Sequence, residues 1–325
     1  MTKYRDALPQ AGCGYFLTDG GLETTLIFLE GQELPHFAAF HMLKSAAGEN
    51  LLRKYFAIYA ELAARYRAGI VLETATWRAN RDWAEKLGYD AGALAEVNRR
   101  SVLLVEEVRE NVETPATPVV ISGCVGPRGD GYVPGSRMSA DEAEDYHSFQ
   151  VQTFADTGAD LVSGLTLNYV EEALGLTRAA RQAGMPVVIS FTLETNGRLP
   201  TGQPLGSAIQ EVDEATSLYP SYYMINCAHP SHFGAVAHGD EPWLARVRGL
   251  RVNASRMSHS ELNEAPGLDA GNPEELGHEC HGLLREPFRH VNVLGGCCGT
   301  DHRHVEQITA ACLPLFHGTA RRFAS

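Results

Sequence analysis

Apolar positions along this chain fall in short continuous runs separated by longer amphipathic stretches. GYFLT (14–18), GIVLETAT (69–76), PVVIS (118–122), DLVS (160–163), PVVISFTL (186–193), YYMIN (222–226), LRVN (250–253) and VNVLGG (291–296) are rich in β-branched and aromatic residues. Such runs, apolar throughout instead of alternating, predict strands of a parallel sheet covered on both faces. Sequence of helical periodicity follows each of them. Asn50–Arg67 is the clearest case, with Leu51, Tyr55, Ile58, Leu62 and Tyr66 on one stripe expected to be core. Further helices are predicted near 91–111, 139–157, 169–183, 207–218, Trp243 and 273–285. Alternating β and α units repeated eight times close most economically into an α/β fold of the (β/α)8 TIM-barrel type. A doubly wound open sheet would be expected to carry a glycine fingerprint after its first strand, and none is present. No low-complexity linker divides the chain, so residues 1–325 are expected to form a single domain.

In such a barrel the ligand-binding residues stand at the carboxyl ends of the strands. The last strand is the most informative, because VNVLGGCCGT (291–300) ends in two glycines and then sets Cys297 beside Cys298 before helical periodicity resumes. Adjacent cysteines at a strand end are good soft ligands for zinc, although a pair of buried small residues or a vicinal disulfide fits the same spacing. Cys227 follows the sixth strand, so the barrel brings it to the same rim. Three protein ligands leave one tetrahedral position for substrate, which is the catalytic arrangement of zinc; a structural site would take four. Competing ligand sets are His229 with His232, His278 with His281 around Cys280, and His302 with His304. The middle set lies on a predicted helix away from any strand end, and His304 is expected at the surface or capping a helix turn.

Other strand ends carry polar groups. Asp19-Gly20-Gly21 closes the first strand, where Asp19 would contact a ligand or cap the next turn. Glu73, Thr74 and Trp77 close the second. The Gly/Pro run GCVGPRGDGYVPGSR (123–137) matches no phosphate-binding signature and reads as a lid or rim loop.

Charge and composition narrow the partners. A formal net charge of −13 argues against a nucleic-acid backbone or an anionic membrane surface and is compatible with a cationic small molecule. No apolar stretch reaches bilayer length and MTKYRDALPQ has no signal-peptide core, so a cytoplasmic location is expected. Seven cysteines, an odd number in a long chain, do not suggest a secreted disulfide framework.

From about Thr18 to Ile308 the chain resembles the homocysteine S-methyltransferase family of zinc-dependent thiol methyltransferases. The resemblance rests on DGG (19–21), VGP (125–127), SFT (190–192) with NGRLPTGQPL (196–205), INC (225–227) and GGCCGT (295–300). It implies a (β/α)8 barrel, zinc held by Cys227, Cys297 and Cys298, and a substrate-contacting Asp19. The activity implied is transfer of a methyl group from a sulfonium or betaine donor to a zinc-bound thiol, homocysteine or a related small thiol. Asp19 and Glu73 are then the candidate catalytic residues, attracting the donor's positive charge or the acceptor's amino group. Asp19, Gly20, Gly21, Thr74, Trp77 and Asn226 are the candidate substrate-binding residues, with Trp77 offering a cation-π face. The partners implied are a small-molecule methyl donor and a thiol acceptor, with homo-oligomerisation left open.

Two stretches depart from the family pattern. Leu165 stands where the family carries a glutamate that recognises the amino group of homocysteine, and ETATW (73–77) replaces the usual stretch after strand two. Glu73 or Glu194 would have to compensate. The reading from a different class is a zinc-binding barrel that senses, binds or supports structure without methyl transfer.

Overall fold

A computed structural model of the chain describes residues 2–234, 237 and 241–316. Among these, eight parallel strands close in sequence order into a barrel: β1 (Phe16–Leu17), β2 (Gly69–Glu73), β3 (Val119–Val125), β4 (Leu161–Leu167), β5 (Val187–Thr192), β6 (Tyr222–Ala228), β7 (Val247–Val252) and β8 (Val293–Gly296). β1 pairs with both β2 and β8, which seals the ring. The expected (β/α)8 fold is thus observed, as one barrel domain. Residues 317–325 of the expected domain lie outside the described residues.

The two-residue period of the strands divides the core in two. Outward positions such as Ile70, Leu72, Val119, Ile121, Val187 and Ile189 join the large cluster under the surrounding helices. Inside the barrel a smaller cluster of Phe16, Val71, Val120, Leu161, Val188, Tyr222, Met224 and Val293 fills the amino-terminal end. One step further along the inward faces the side chains become polar: Glu73 on β2, Ser122 on β3, Ser163 on β4, Ser190 on β5 and Arg251 on β7, all buried. The apolar layer is the floor on which a polar chamber rests.

Several boundaries differ from expectation. The helix at Ala46–Tyr66 buries Leu52, Tyr55, Phe56, Tyr59, Leu62 and Ala63, so the core stripe runs beside the one predicted, and Leu51, Ile58 and Tyr66 are half-buried. Two adjacent ridges of this helix are apolar, and periodicity alone does not choose between them. β4 runs on to Leu167, which places Leu165 inside the strand. The segment around Trp243 is a 3-10 turn (Pro242–Arg246), and a short helix at His259–Glu264 follows β7.

Candidate metal centre and pocket

β6 and β8 deliver the three thiols by different means. β6 continues through Cys227, whose φ is +54°, in the left-handed region that a β-strand residue normally avoids. The β6–β7 register shifts between Asn226 and Ala228, so the strand re-aims its side chain at this point, as bulges near ligand sites do. Thr166 on β4, φ +63°, sits at a similar irregularity. Asn226 ties the two together: its Oδ1 accepts the Thr166 N–H (2.9 Å) and the Ser190 hydroxyl (2.6 Å), and its Nδ2 donates to Thr166 Oγ1 (2.8 Å). The same Nδ2 lies 3.9 Å from Cys297 Sγ.

The end of β8 is pressed against the end of β1. A Cβ on Gly21 would come within 2.6 Å of the Cys297 carbonyl oxygen, and one on Gly295 within 2.9 Å of the Thr18 and Asp19 carbonyls. Side chains at these positions would push the thiol-bearing turn away from the barrel.

The sulfurs of Cys227, Cys297 and Cys298 all lie within 4.8 Å of one another, the one group of three or more such ligands found close together among the described residues. Cys227 and Cys297 are joined as a disulfide, and Cys298 Sγ lies 3.8 Å from Cys227 Sγ. That separation matches the edge of about 3.8 Å between two thiolates bound at about 2.3 Å to a tetrahedral metal. Reduction of the pair returns both ligands, and the donor set then fits a soft divalent ion with one position left over. Burial pushes the Cys298 thiol above its ordinary value. A buried thiolate here therefore calls for a cation beside it.

The pocket over the sulfurs is lined by Asp19, Gly20, Gly21, Glu73, Thr74, Trp77 and Asn226, so it gathers all the candidate catalytic and substrate-binding residues. Their commitments differ. Asp19 Oδ1 accepts from Arg251 Nη2 at 2.5 Å and Oδ2 accepts the Tyr55 hydroxyl at 3.2 Å, so Asp19 anchors the barrel wall and caps no helix. Thr74 Oγ1 is held by the Cys124 N–H (2.9 Å) and Thr76 Oγ1 (2.6 Å). Trp77 donates from Nε1 to the Leu165 carbonyl, while the Arg78 guanidinium lies 4.2 Å from its ring centroid. Glu73 is different: its Oε2 is buried with no hydrogen-bond partner, and burial pushes its pKa up to about 7 against the pull of Arg251.

The sequence reading missed Glu23, Cys124, Tyr132, His259 and Arg251. Glu23 lines the same pocket, and burial likewise raises its pKa to about 7. The Tyr132 hydroxyl reaches 3.5 Å from both Cys227 Sγ and Cys298 Sγ, and its ring stacks 4.1 Å from that of His259, which donates from Nε2 to the Cys227 carbonyl. The DGY of the Gly/Pro loop marked a rim, but nothing in it pointed to the thiols. Glu194 stands 3.6 Å from His259 Nδ1, outside the pocket lining. Four of the other candidate histidines are engaged elsewhere: His229 meets Glu279, His232 bonds the Arg256 carbonyl, His278 bonds the Glu274 carbonyl, and His304, fully buried, closes a capping box with Asp301.

Fold and site together define a (β/α)8 barrel with a three-thiol centre at its carboxyl-end rim. The homocysteine S-methyltransferase family model matches residues 16–312, and the chain belongs to that family of methyltransferase enzymes. It is 23% identical to homocysteine S-methyltransferase 4 of Zea mays, over 94% of this chain and 92% of that protein. It is also 27% identical to the methionine synthase of Mycobacterium leprae, over 84% of this chain, although it spans only 22% of that protein's length. Among solved structures, the oxidised form of the homocysteine methyltransferase MmuM from Escherichia coli shares the fold with a TM-score of 0.71 and 20% identity, covering 95% of this chain and 99% of that one. The metallated form of the same protein gives 0.70.

Proposed function

We propose that this chain is a zinc-dependent S-methyltransferase that moves a methyl group from a sulfonium or betaine donor to a small thiol, homocysteine or a relative of it. The observation that carries this reading is the convergence of Cys227, Cys297 and Cys298 beneath a pocket walled by carboxylates and aromatic rings. Cys227, Cys297 and Cys298 would hold the zinc, which when bound supplies a positive charge that lets an acceptor thiol ionise at neutral pH.

The chain's own residues do the rest. The acceptor sulfur forms a bond to the methyl carbon while the donor's C–S⁺ or C–N⁺ bond breaks, and the donor leaves as a neutral sulfide or amine; the thiol proton is lost beforehand to solvent. Outside the thiol pocket a larger cleft opens, sharing Trp77, Tyr132 and Cys298 with it and adding Phe28, Asp130 and Asp269. Phe28 and Tyr132 with the carboxylates of Asp130 and Asp269 suit a methylated cation, while the Arg78 guanidinium already occupies one face of Trp77. Neutralisation of that cation during transfer weakens its hold and favours release. Both partners are small molecules. No helix of the described residues is long and apolar enough to cross a membrane. A cytoplasmic site of action is part of this proposal.

The test is a screen of the reduced, zinc-loaded protein with homocysteine and other small thiols against S-methylmethionine, betaine, dimethylsulfoniopropionate and S-adenosylmethionine. Methylated thiol formed in step with donor consumption, and lost on chelation, supports the reading. Stoichiometric zinc with no transfer from any donor to any thiol would instead favour a binding or sensing barrel.

A further inference from the structure

Cys298 stands apart from the other two thiols. Cys227, Cys297 and Cys298 all line the inner pocket, but Cys298 is the one cysteine that also lines the larger cleft outside it. It is half-buried, and its thiol is free. Its sulfur is therefore the ligand atom that faces the cleft in which a methylated cation would rest.

That exposure has a chemical consequence. A thiolate is a nucleophile whether it belongs to the protein or to the acceptor. Methylation of Cys298 would form an S–CH3 bond as the donor's C–S⁺ or C–N⁺ bond broke, leaving a neutral thioether on the protein and a neutral sulfide or amine in the cleft. Zinc is held by cysteine as the thiolate, so each such event would cost the site a ligand.

Tyr132 stands between the cleft and that sulfur. Its side chain lines both cavities, and its hydroxyl is 3.5 Å from Cys298 Sγ and 3.5 Å from Cys227 Sγ. The residue is held in place from several sides: its ring lies 4.1 Å from that of His259, its N–H donates to Asp130 Oδ1 at 2.8 Å, and Asn168 Nδ2 donates to the Asp130 carbonyl at 2.9 Å. Cys297, which has Asn226 Nδ2 at 3.9 Å, does not line the cleft. A hydrogen bond accepted by a thiolate stabilises its charge and so lowers its nucleophilicity. The hydroxyl is thus committed to the protein's own sulfurs.

We propose that Tyr132 is a positioning residue that protects Cys298 from the methyl donor: its O–H donates to the ligand sulfurs, so the methyl group goes to the acceptor thiol and not to the protein. This rests on the cysteine cluster being the thiol centre of the proposed reaction.

Iodomethane tests it without any natural donor or acceptor, because the thiolate takes its methyl group and iodide leaves. Reduced, zinc-loaded wild-type protein and Tyr132→Phe are treated with it, methyl groups are located by peptide mass mapping, and released zinc is followed with a chromogenic chelator. Phenylalanine keeps the ring beside His259 and removes only the hydroxyl. Tyr132→Phe is expected to load as much zinc as wild type and then to gain a methyl group on Cys298 at least about tenfold faster, with zinc released in step. Cys13, an exposed thiol that lines neither cavity, should be methylated equally in the two proteins and serves as the reference. Equal rates at Cys298, or a gain confined to Cys227 or Cys297, would overturn the protective role while leaving the thiol centre standing. A Tyr132→Phe protein that takes up no zinc would overturn it too, since the hydroxyl would then hold the site together instead of guarding it. Wild-type protein that takes up no zinc would overturn the thiol centre and the protective role together.

Discussion

Asp19 and Arg251, 232 residues apart in sequence, meet at 2.5 Å inside the barrel and join the end of β1 to β7. Both are almost wholly buried. Burial opposes the Arg251 charge, but Asp19 and Glu73 hold its proton more tightly than usual; burial also raises Asp19, against the pull of Arg251 and Tyr55. The pair bridges β7 to the end of β1 across β8, beside the thiol-bearing turn, so it supports the site through position. Asp19→Ala leaves a cation uncompensated in the interior and is expected to cost about 3–5 kcal/mol, read from the denaturant midpoint. A loss below about 1 kcal/mol would mean that the pair is solvated in solution.

The thiols are expected to behave in the opposite way. Single replacements Cys227→Ala, Cys297→Ala and Cys298→Ala in reduced protein should each abolish stoichiometric zinc and methyl transfer while leaving the far-ultraviolet circular dichroism of the barrel intact. The barrel's two apolar clusters do not depend on them. Unfolding of the metal-free variants would instead assign the cysteines a structural role.

A substitution that touches no ligand tests the packing of β1 on β8. Gly21→Ala drives a methyl group toward the Cys297 carbonyl, so the turn must move. Zinc affinity measured with a competing chelator should fall at least about tenfold, the scale seen when support around a metal ligand is lost. Unchanged affinity would show that the turn adapts.

Glu73 ties stability to pH. Its carboxyl, raised by burial from 4.5 to about 7, favours the folded state when protonated. The stabilisation is therefore complete below pH 4.5 and is lost as pH rises through about 7, up to about 3 kcal/mol in protein without substrate. Glu73→Gln should remove this component and be the more stable protein at pH 8. Glu23, raised in the same direction, leaves a residual slope. A wild-type stability that rises steadily from pH 5 to pH 8 would contradict a Glu73 carboxyl raised by burial.

The barrel and its thiols were legible because both follow from local pattern. Continuous β-branched runs declare buried parallel strands, and Cys227, Cys297 and Cys298 sit at the ends of two of them. What was illegible depends on approach in space. Arg251 looked like one more residue of LRVN, and only the closed ring, in which β8 alone separates β7 from β1, shows that its side chain reaches Asp19. Tyr132 lies in a Gly/Pro loop without periodicity, and its reach to two sulfurs is set by the loop's path and by the His259 ring beneath it. The stripe on the Ala46–Tyr66 helix was displaced because apolar residues occupy adjacent ridges there.

Zinc K-edge X-ray absorption of the reduced, zinc-loaded protein tests the central proposal most directly. Three cysteine ligands with an open acceptor position predict three sulfurs at about 2.3 Å together with a lighter atom, changing to four sulfurs when homocysteine or another accepted thiol is added. A first shell with fewer than three sulfurs, or one that keeps the same sulfur count after the thiol binds, would contradict it.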